Sequence, residues 1–365
     1  MKTVFIVLST IHIGGAEKRF TGLWKSFQQA TNNNLQVKLV VNKALYLKLA
    51  ESGEINNEQK NIIAGNLSGK NFWQYRNSVK DILKTHATKG DIIHFIGLSP
   101  LLKIKGTKQL LSITGTTLNV DGWVNMAMML ASAFYANAID VLDPRVHTIM
   151  KKLFFWKSKK IFRTSNSFCD VSVYKPLPME HKKNWIVFLG RFDAVKQVEQ
   201  ILQALPYVYE KLKQAQDNDY HFYLLGHGAL EDKLKQILTT EPYAHLPITI
   251  GYQKEPWEIL NKSKVFLSLQ LHNNYPSRSL LEAMAAGNIP VVTDVGQTRW
   301  IARPGFSYYV PEKFSKEELA EAILQVFAMP AQQWEEKMQE ARKLVLDEHD
   351  ISKMKNYFES IYRHV

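Results

Sequence analysis

Residues Trp185-Ile186-Val187-Phe188-Leu189-Gly190 form an apolar run that leads, after a short loop, into the amphipathic stretch Val195–Lys213. A near-continuous apolar run that ends on glycine before a helical pattern is typical of a parallel strand buried on both faces. The same order occurs upstream, where Thr3–Ser9 precedes Gly14-Gly15 and the helical pattern Ala16–Gln28. The chain is therefore predicted to be α/β, with two Rossmann-like, doubly wound parallel-sheet domains that face a cleft.

The alternation stops once, at the polar, proline-containing segment Tyr174–Lys183, and then resumes. A segment of this composition predicts a linker. We expect a first domain, a linker, a second domain and a last helix that packs back on the first domain, at residues 1–175, 176–184, 185–345 and 346–365. Ligands of open parallel sheets bind at the carboxyl ends of the strands, so the cleft is the expected active site.

The composition excludes several classes of protein. With 365 residues, 45% hydrophobic and 22% charged, the chain has ordinary globular usage rather than that of a disordered protein. The single cysteine, Cys169, excludes an intramolecular disulfide framework and a zinc site built from several thiolates. No apolar run reaches the roughly 18 residues of a membrane span, and Met1–Thr10 is a first strand rather than a signal peptide. A cytoplasmic protein is expected.

The net charge of +12 is unevenly distributed. Residues 1–180 hold 24 Lys and Arg against 11 Asp and Glu, whereas residues 181–365 hold 22 against 23. Such asymmetry predicts an anionic partner for the first half: nucleic acid, phospholipid headgroups or a phosphorylated acceptor. A solvated basic surface with no partner is the alternative. Segment Arg145–Arg163 interleaves basic residues with Leu153, Phe154, Phe155 and Trp156, which favours peripheral docking on an anionic membrane. A core-facing helix followed by a solvated loop is the alternative.

Two motifs in the second half are suited to phosphate. Gly190-Arg191 follows a strand, and Lys196 lies at the start of the next helical stretch, so a guanidinium and an ammonium can meet one anion. Further on, Ser277, Arg278, Ser279 and Leu280 begin a predicted helix whose first N–H groups have no helical partner. Glu282, one turn later, is placed to accept ribose hydroxyls or, alternatively, only to stabilise the helix dipole.

Together, Gly14-Gly15-Ala16-Glu17, the Gly190-Arg191…Lys196 loop and the helix Leu280–Gly287 occur in an order and spacing that resembles the retaining glycosyltransferases of family 4, which have the GT-B fold. The resemblance covers the whole chain and is strongest over Trp185–Ile301. It implies that the second domain binds a nucleotide-sugar donor, such as a UDP-sugar, and that the first binds the acceptor.

The resemblance also implies roles for individual residues. Arg191 and Lys196 would neutralise the donor diphosphate, Glu282 would bind the ribose, and Gly15 would allow close approach of the donor phosphate or acceptor. Donor binding is further expected at Gly190, Tyr252, Gln253, Ser277, Arg278, Ser279 and Leu280. Gly14, His94, Thr114 and Thr116 are expected on the acceptor side, although a buried structural role is the alternative for His94.

Two departures from the family pattern stand out. The first glutamate of the family's glutamate pair is replaced by Asn274, a candidate catalytic residue whose amide can hydrogen-bond a sugar hydroxyl but carries no charge. A histidine that the family often carries in the first domain is replaced by Thr114-Gly115-Thr116-Thr117. These departures leave open a different donor, a lower rate or a chain that does not catalyse.

The expected reaction is transfer of a sugar, with retention of anomeric configuration, to a glycan or lipid-linked acceptor in cell-surface polysaccharide or glycoconjugate biosynthesis. The expected place is the cytoplasm, including the inner face of the cell membrane. No cofactor or metal is expected, because Asp217-Asn218-Asp219 fits a turn. A non-catalytic nucleotide-sugar-binding subunit and a sugar-nucleotide epimerase are the alternatives. Nucleic acid is not an expected partner, since no nucleic-acid-binding motif is present.

Overall fold

The computed structural model describes the residues 2–29, 35–56, 60–67, 72–114, 123–164, 167–216, 219–275 and 277–365, without the side chains of 123–125. The chain divides into two compact units. Unit 1 comprises residues 1–166 and 351–365, and unit 2 comprises residues 167–350.

Unit 1 is built on seven parallel strands in the order β3-β2-β1-β4-β5-β6-β7. Its strands are β1 Lys2–Leu8, β2 Leu35–Asn42, β3 Ile62–Gly65, β4 Ile92–Ile96, β5 Lys108–Ile113, β6 Ala138–Val141 and β7 Ile161–Arg163. Its helices are α1 Gly15–Gln28, α2 Lys43–Glu51, α3 Phe72–His86, α4 Trp123–Tyr135, α5 Pro144–Leu153 and, from the end of the chain, α12 Ile351–His364.

The centre of this sheet is apolar on both faces. Val4 lies opposite Val37 of β2 and Ile92 of β4, and the run Val4–Leu8 is buried throughout. A strand that is apolar at consecutive positions needs cover on both sides, which helices supply. The continuous apolar pattern of the sequence is thereby explained.

Helix α12 is held in unit 1 by aromatic packing and by a buried carboxylate. Phe358 packs edge-on against Phe20 of α1, with ring centroids 5.7 Å apart. Asp140 of β6 accepts hydrogen bonds from Ser112 at 2.8 Å, from Tyr357 of α12 at 2.6 Å and from Thr164. A buried charge needs such donors to offset its desolvation, so Asp140 ties the last helix to the sheet.

Unit 2 is built on six parallel strands in the order β10-β9-β8-β11-β12-β13. Its strands are β8 Lys183–Leu189, β9 His221–Leu225, β10 Ile248–Gly251, β11 Ser263–Ser268, β12 Ile289–Thr293 and β13 Tyr308–Val310. Its helices are α6 Val198–Ala215, α7 Glu231–Ile237, α8 Trp257–Leu260, α9 Arg278–Ala285, α10 Lys316–Phe327 and α11 Ala331–Leu344, followed by a π-helical turn at Val345–His349.

The segment before β8 belongs to unit 2. The backbone N–H of Cys169 donates to the carbonyl of His349 at 3.0 Å, which fixes this stretch to the end of the π-helical turn. Residues 176–184, for which the composition predicts a linker, therefore lie inside this unit, and Lys183 already begins β8.

The helix that the sequence places from Val195 begins later. Asp193 accepts a hydrogen bond from the backbone N–H of Lys196 at 3.0 Å and closes a 3₁₀ turn over Ala194–Lys196. Gln197 then has a positive φ of 50°, and α6 starts at Val198. The short turn holds Lys196 at the strand end instead of on the helix.

Candidate functional site

The strand order of unit 2 reverses between β8 and β11, which are neighbours in the sheet. Ligands of open parallel sheets bind at such a switch point, outside the carboxyl ends of the strands. Here the backbone N–H of Leu271, in the loop after β11, donates to the carbonyl of Val195, in the loop after β8, at 2.9 Å. The Arg191…Lys196 motif and the segment that leads into α9 are therefore brought to one strand edge.

Glycine is required where the loops after β8 and β9 meet. Gly226 has a φ of +148°, and a Cβ on it would lie 1.8 Å from the carbonyl oxygen of Gly190. The N–H of Phe192 donates to the carbonyl of His227 at 2.9 Å. The two loops therefore meet through their backbones, and a side chain at Gly226 would prevent this contact.

Lys196 is largely buried at the switch point, and its Nζ donates to Oε1 of Gln270 at 2.6 Å. Burial lowers the pKa of Lys196 to about 8, Asp193 opposes this shift, and Arg191 adds to it. The ammonium is thus poorly solvated and has one neutral partner. An anion bound beside it would gain more than at a surface lysine, because the desolvation cost is already met in the fold.

Asn274 belongs to a chain of buried amides and hydroxyls. Its Nδ2 donates to the carbonyl of Ser268 at 2.6 Å, and its Oδ1 accepts from the Ser268 hydroxyl at 2.9 Å and from the Gln270 amide. Gln270 also accepts the hydrogen bond from Lys196. A relay of uncharged hydrogen-bonding groups therefore connects Asn274 to the Lys196 ammonium. Sequence reasoning missed Ser268 and Gln270, although Gln270 is a polar residue directly after the apolar run Val265–Leu269.

Arg191 lies at the same strand end but in solvent. Its side chain is 74% exposed, and its Nη2 lies 3.1 Å from Oδ2 of Asp193. An exposed ion pair of this kind adds little stability. The guanidinium can therefore move to a ligand without a large loss to the fold.

The helix α9 begins at the same edge. Ser277 is its N-cap, and the first helical hydrogen bond that closes there runs from the N–H of Leu281 to the carbonyl of Ser277. The N–H groups of the preceding turn, at Arg278, Ser279 and Leu280, precede that bond and point out of the helix end. Together with the helix dipole they favour an anion.

Glu282 is part of a buried polar cluster under α9. Its carboxylate accepts from Nε of Arg278 at 2.8 Å and hydrogen-bonds with the Tyr174 hydroxyl. Burial, with the Glu282 charge as the next cause, raises the pKa of Tyr174 well above its ordinary value. Sequence reasoning missed Tyr174. The predicted ribose contact of Glu282 stays a prediction, and it would share the carboxylate with these two partners.

Tyr252 and Gln253 follow β10, beside β9 at the sheet edge. Tyr252 is 59% exposed and makes an edge contact with the His227 ring, with centroids 5.9 Å apart. An exposed aromatic next to a glycine-rich turn is suited to stacking on a flat ring. Binding of the nucleotide base at Tyr252 and Gln253 stays a prediction.

In unit 1, Gly14 and Gly15 form the turn between β1 and α1. Glu17 accepts from the N–H of Gly14 at 2.9 Å and from the Thr10 hydroxyl at 2.8 Å, and a Cβ on Gly14 would lie 2.8 Å from that carboxylate. Within the described part of the chain, no atom beyond its sequence neighbours and its own helix would lie within 4 Å of a Cβ on Gly15. Gly15 therefore faces open space, as the predicted approach of a ligand requires.

Of the two roles that the sequence leaves open for His94, the structure has the buried structural one. The ring is fully buried, with Nδ1 2.8 Å from the Tyr362 hydroxyl and Nε2 2.8 Å from the Ser112 hydroxyl. Burial lowers the pKa of His94 to about 3, so the ring is neutral and anchors α12. Thr114 is half-buried just after β5, whereas Thr116 lies outside the described residues.

Two features are absent from the described residues. These residues contain no group of three or more His, Cys, Asp or Glu side chains that could hold a metal ion. Positions 217 and 218 of the predicted turn Asp217-Asn218-Asp219 lie outside them. No helix in the described ranges has the length and apolar character needed to cross a membrane.

Part of the chain matches a known protein family. Residues 174–344 match the family model of glycosyl transferases group 1. No curated protein has a sequence that matches this chain. The resemblance to glycosyltransferases that the motifs indicate is thus confirmed for the second half of the chain.

Solved structures resemble the whole chain in fold. Anabaena HepE in complex with UDP-glucose is 13% identical, with a TM-score of 0.76 and 100% of each chain covered. Sucrose-phosphate synthase from Thermosynechococcus elongatus is 14% identical, with a TM-score of 0.73, and 100% of this chain and 99% of that chain are covered. A glycosyltransferase from Rickettsia africae is 15% identical, with a TM-score of 0.71, over 100% and 98%. The predicted GT-B fold, with two parallel α/β domains, is confirmed.

Proposed function

We propose that this chain, a GT-B protein whose residues 174–344 match the group 1 glycosyl transferases, transfers a sugar from a nucleotide-diphosphate donor to a hydroxyl acceptor. One observation carries the proposal. At the switch point of unit 2, a buried ammonium, a solvent-exposed guanidinium and a helix N-terminus lie on loops that meet at one strand edge.

These three groups have the chemistry that a diphosphate needs. Lys196 supplies a point charge, Arg191 supplies a planar fork that can hold two oxygens, and the first turn of α9 supplies backbone donors and a dipole. The attraction between each of these groups and the diphosphate becomes stronger as negative charge on the diphosphate increases. The groups would therefore stabilise the diphosphate most as it leaves the sugar, which is electrostatic catalysis.

The donor we propose is a UDP-sugar. HepE, which shares the fold, is crystallised with UDP and with UDP-glucose. In this chain the exposed Tyr252 ring beside His227 would receive the base, and Glu282 would exchange part of its hydrogen bonding with Arg278 for ribose hydroxyls.

We propose transfer with retention of the anomeric configuration and without a metal. On a front-side route the acceptor oxygen attacks from the side that the diphosphate leaves, and a phosphate oxygen takes the acceptor proton. The C1–O bond to phosphate breaks, the new C1–O bond forms on the same face, and the proton ends on the released diphosphate. Lys196 and Arg191 hold the charge that accumulates there, so the route needs no carboxylate base.

Asn274 would act as a positioning residue on this route. Its amide is locked by Ser268 and Gln270, and Gln270 holds the Lys196 ammonium. The acceptor we propose is a glycan or a lipid-linked sugar on the cytoplasmic side, which serves cell-surface polysaccharide or glycoconjugate synthesis.

A non-catalytic nucleotide-sugar-binding subunit is the second candidate, because Asn274 provides no charge where the family places a glutamate. Calorimetry with UDP, GDP and ADP, followed by release of UDP from UDP-sugars, separates the two. UDP binding with sugar-dependent turnover supports the transferase, and binding without turnover on any acceptor supports the subunit. If no nucleoside diphosphate binds, both proposals are wrong.

A further inference from the structure

We propose that one face of unit 1, at the ends of α4 and α5, docks on the surface of an anionic lipid bilayer. We define the aromatic–lysine face as the exposed apolar side chains Phe134, Tyr135, Leu153, Phe155 and Trp156 with the surrounding lysines 103, 151, 152, 157, 159 and 160. The inference does not depend on the donor site, which lies in unit 2.

Large apolar side chains are exposed together on this face. Phe155 is 73% exposed, Phe134 is 62% exposed and Trp156 is 58% exposed. Their rings contact each other, with Phe155 and Trp156 at 5.3 Å and Phe134 and Trp156 at 6.5 Å between centroids. Single exposed apolar residues are common, but a contiguous cluster marks a surface that binds something apolar.

The helix that leads to this cluster is uncharged. None of the thirteen residues of α4, Trp123–Tyr135, is Asp, Glu, Lys or Arg, and Ala127 and Phe134 are exposed. A surface helix in water normally carries charge on its outer face. The absence of charge extends the apolar surface of the cluster along α4.

The surroundings of the cluster are strongly basic. Residues 145–163 contain seven Lys and Arg and no Asp or Glu. The acidic residues between 123 and 163, Asp140 and Asp143, are buried, the first in the hydrogen bonds to Tyr357 and its neighbours and the second as the N-cap of α5. Among the described residues, no ion pair involves a basic residue of 145–163. The described residues therefore contain no ion pair that neutralises the positive charge around the cluster.

Lys157 fixes the cluster in place. Its Nζ donates to the carbonyl oxygens of Ala133, Phe134 and Ala136 at 2.6, 3.0 and 3.0 Å and so closes the end of α4. Burial lowers the pKa of Lys157 to about 8, and the charge of Lys103 adds to this. Phe155 and Trp156 are thus held against α4 before the protein contacts a membrane, which lowers the entropy cost of docking.

An open recess of about 590 Å³ lies in this face. It is lined by Phe155, Trp156 and the three lysines 157, 159 and 160. Apolar walls next to ammonium groups match the boundary between acyl chains and phosphate headgroups, where aromatic rings and lysines of peripheral proteins lie.

The observations favour a bilayer over other partners. A second copy of the chain would bring two sets of unneutralised lysines together, which repel each other. Nucleic acid would use the lysines but would leave Leu153 and the uncharged surface of α4 in water. An anionic bilayer satisfies both the charge and the apolar surface.

The experiment is sedimentation of the full chain with vesicles of phosphatidylglycerol and phosphatidylcholine in equal parts, and with phosphatidylcholine alone, at low and high salt. We expect binding to the anionic vesicles that weakens with salt. K159Q/K160Q should lower the partition coefficient by about twenty-five-fold, since each lysine near an anionic surface contributes about fivefold. F155S/W156S should lower it by more than about tenfold.

Two control variants carry similar substitutions outside the aromatic–lysine face. K313Q/K316Q removes the same charge from exposed positions of unit 2, and Leu47→Ser removes an exposed apolar residue from α2, at the far edge of the unit 1 sheet. Both should bind as the unchanged protein does. Thermal unfolding checks that all four variants are folded, and UDP calorimetry tests the donor site separately.

Three results would overturn the proposal. The first is absence of binding to anionic vesicles at low salt by a folded protein. The second is equal loss of binding in K159Q/K160Q and in K313Q/K316Q, since net charge alone would then explain it. The third is a dimer in sedimentation velocity that F155S/W156S converts to monomer without any effect on vesicle binding, which would assign the face to self-association.

Discussion

The depressed pKa of Lys196 leads to a prediction about pH. The ammonium of Lys196 titrates with a pKa of about 8, because it is buried beside Gln270 and close to Arg191. Only the protonated form attracts a diphosphate. From one pH unit below this pKa to one unit above it, the protonated fraction falls from about 0.9 to about 0.1. If the bound diphosphate keeps the amine protonated, UDP affinity should fall about tenfold across this interval, which is about 1.4 kcal/mol.

Isothermal titration calorimetry with UDP at several pH values measures this directly. The variant Lys196→Arg keeps a cation that does not titrate in this range, so its UDP affinity should change little with pH. Lys196→Met removes the cation and should bind UDP about ten- to a hundredfold more weakly, again without a step in pH. Any change of UDP affinity with pH that remains in Lys196→Met comes from the titration of UDP itself.

The comparison of the two variants decides the outcome. The reasoning fails if the unchanged protein and Lys196→Arg show the same dependence of UDP affinity on pH, because another group would then be responsible. It fails equally if Lys196→Met binds UDP as tightly as the unchanged protein while retaining its unfolding temperature.

Three further predictions concern other positions. Arg191→Ala should weaken UDP binding by about ten- to a hundredfold, as expected for the loss of a charge-assisted contact. The unfolding temperature should stay unchanged because the side chain is 74% exposed. An unchanged UDP affinity in calorimetry would contradict this prediction. Tyr357→Phe removes the 2.6 Å hydrogen bond to Asp140 and should lower the free energy of unfolding by about 1.5–3 kcal/mol in urea titrations; a change below about 0.5 kcal/mol would show that Asp140 does not need this donor. Gly226→Ala places a Cβ 1.8 Å from the Gly190 carbonyl, so it should disturb the loops and lower both UDP affinity and unfolding temperature; wild-type values for both would mean that the loops can separate freely.

The sequence predicted those elements whose physical signal is local. The run Val4–Leu8 is apolar at every position, and the strand predicted over Thr3–Ser9 is β1, Lys2–Leu8, in the structure. The short strands β3, β6 and β13 and the helix α2 were not predicted. Each strand has only three or four residues, so its alternation is too brief to distinguish from a loop, and neighbouring strands define it instead.

The candidate site was predictable in its position but not in its internal contacts. Arg191, Lys196 and Ser277 follow strands or begin helices, and strand ends meet at one edge in a parallel sheet. The Asn274–Gln270–Lys196 relay depends on which way three side chains turn from two loops, and spacing does not encode that. The sequence could not name the partner of His94 for a related reason, since the Tyr362 hydroxyl belongs to a residue 268 positions away.

The anchoring of α12 by Asp140 has a consequence for biosynthesis. A ribosome makes most of the first unit before the second, yet the piece that completes the first unit comes only after residue 350. The second unit is contiguous and can fold as it emerges. Until α12 is made, one face of the unit 1 sheet stays uncovered and Asp140 lacks the hydrogen bond from Tyr357. The first unit should therefore complete its folding after the second, although it is synthesised earlier. Dependence on chaperones should be greatest for the first unit.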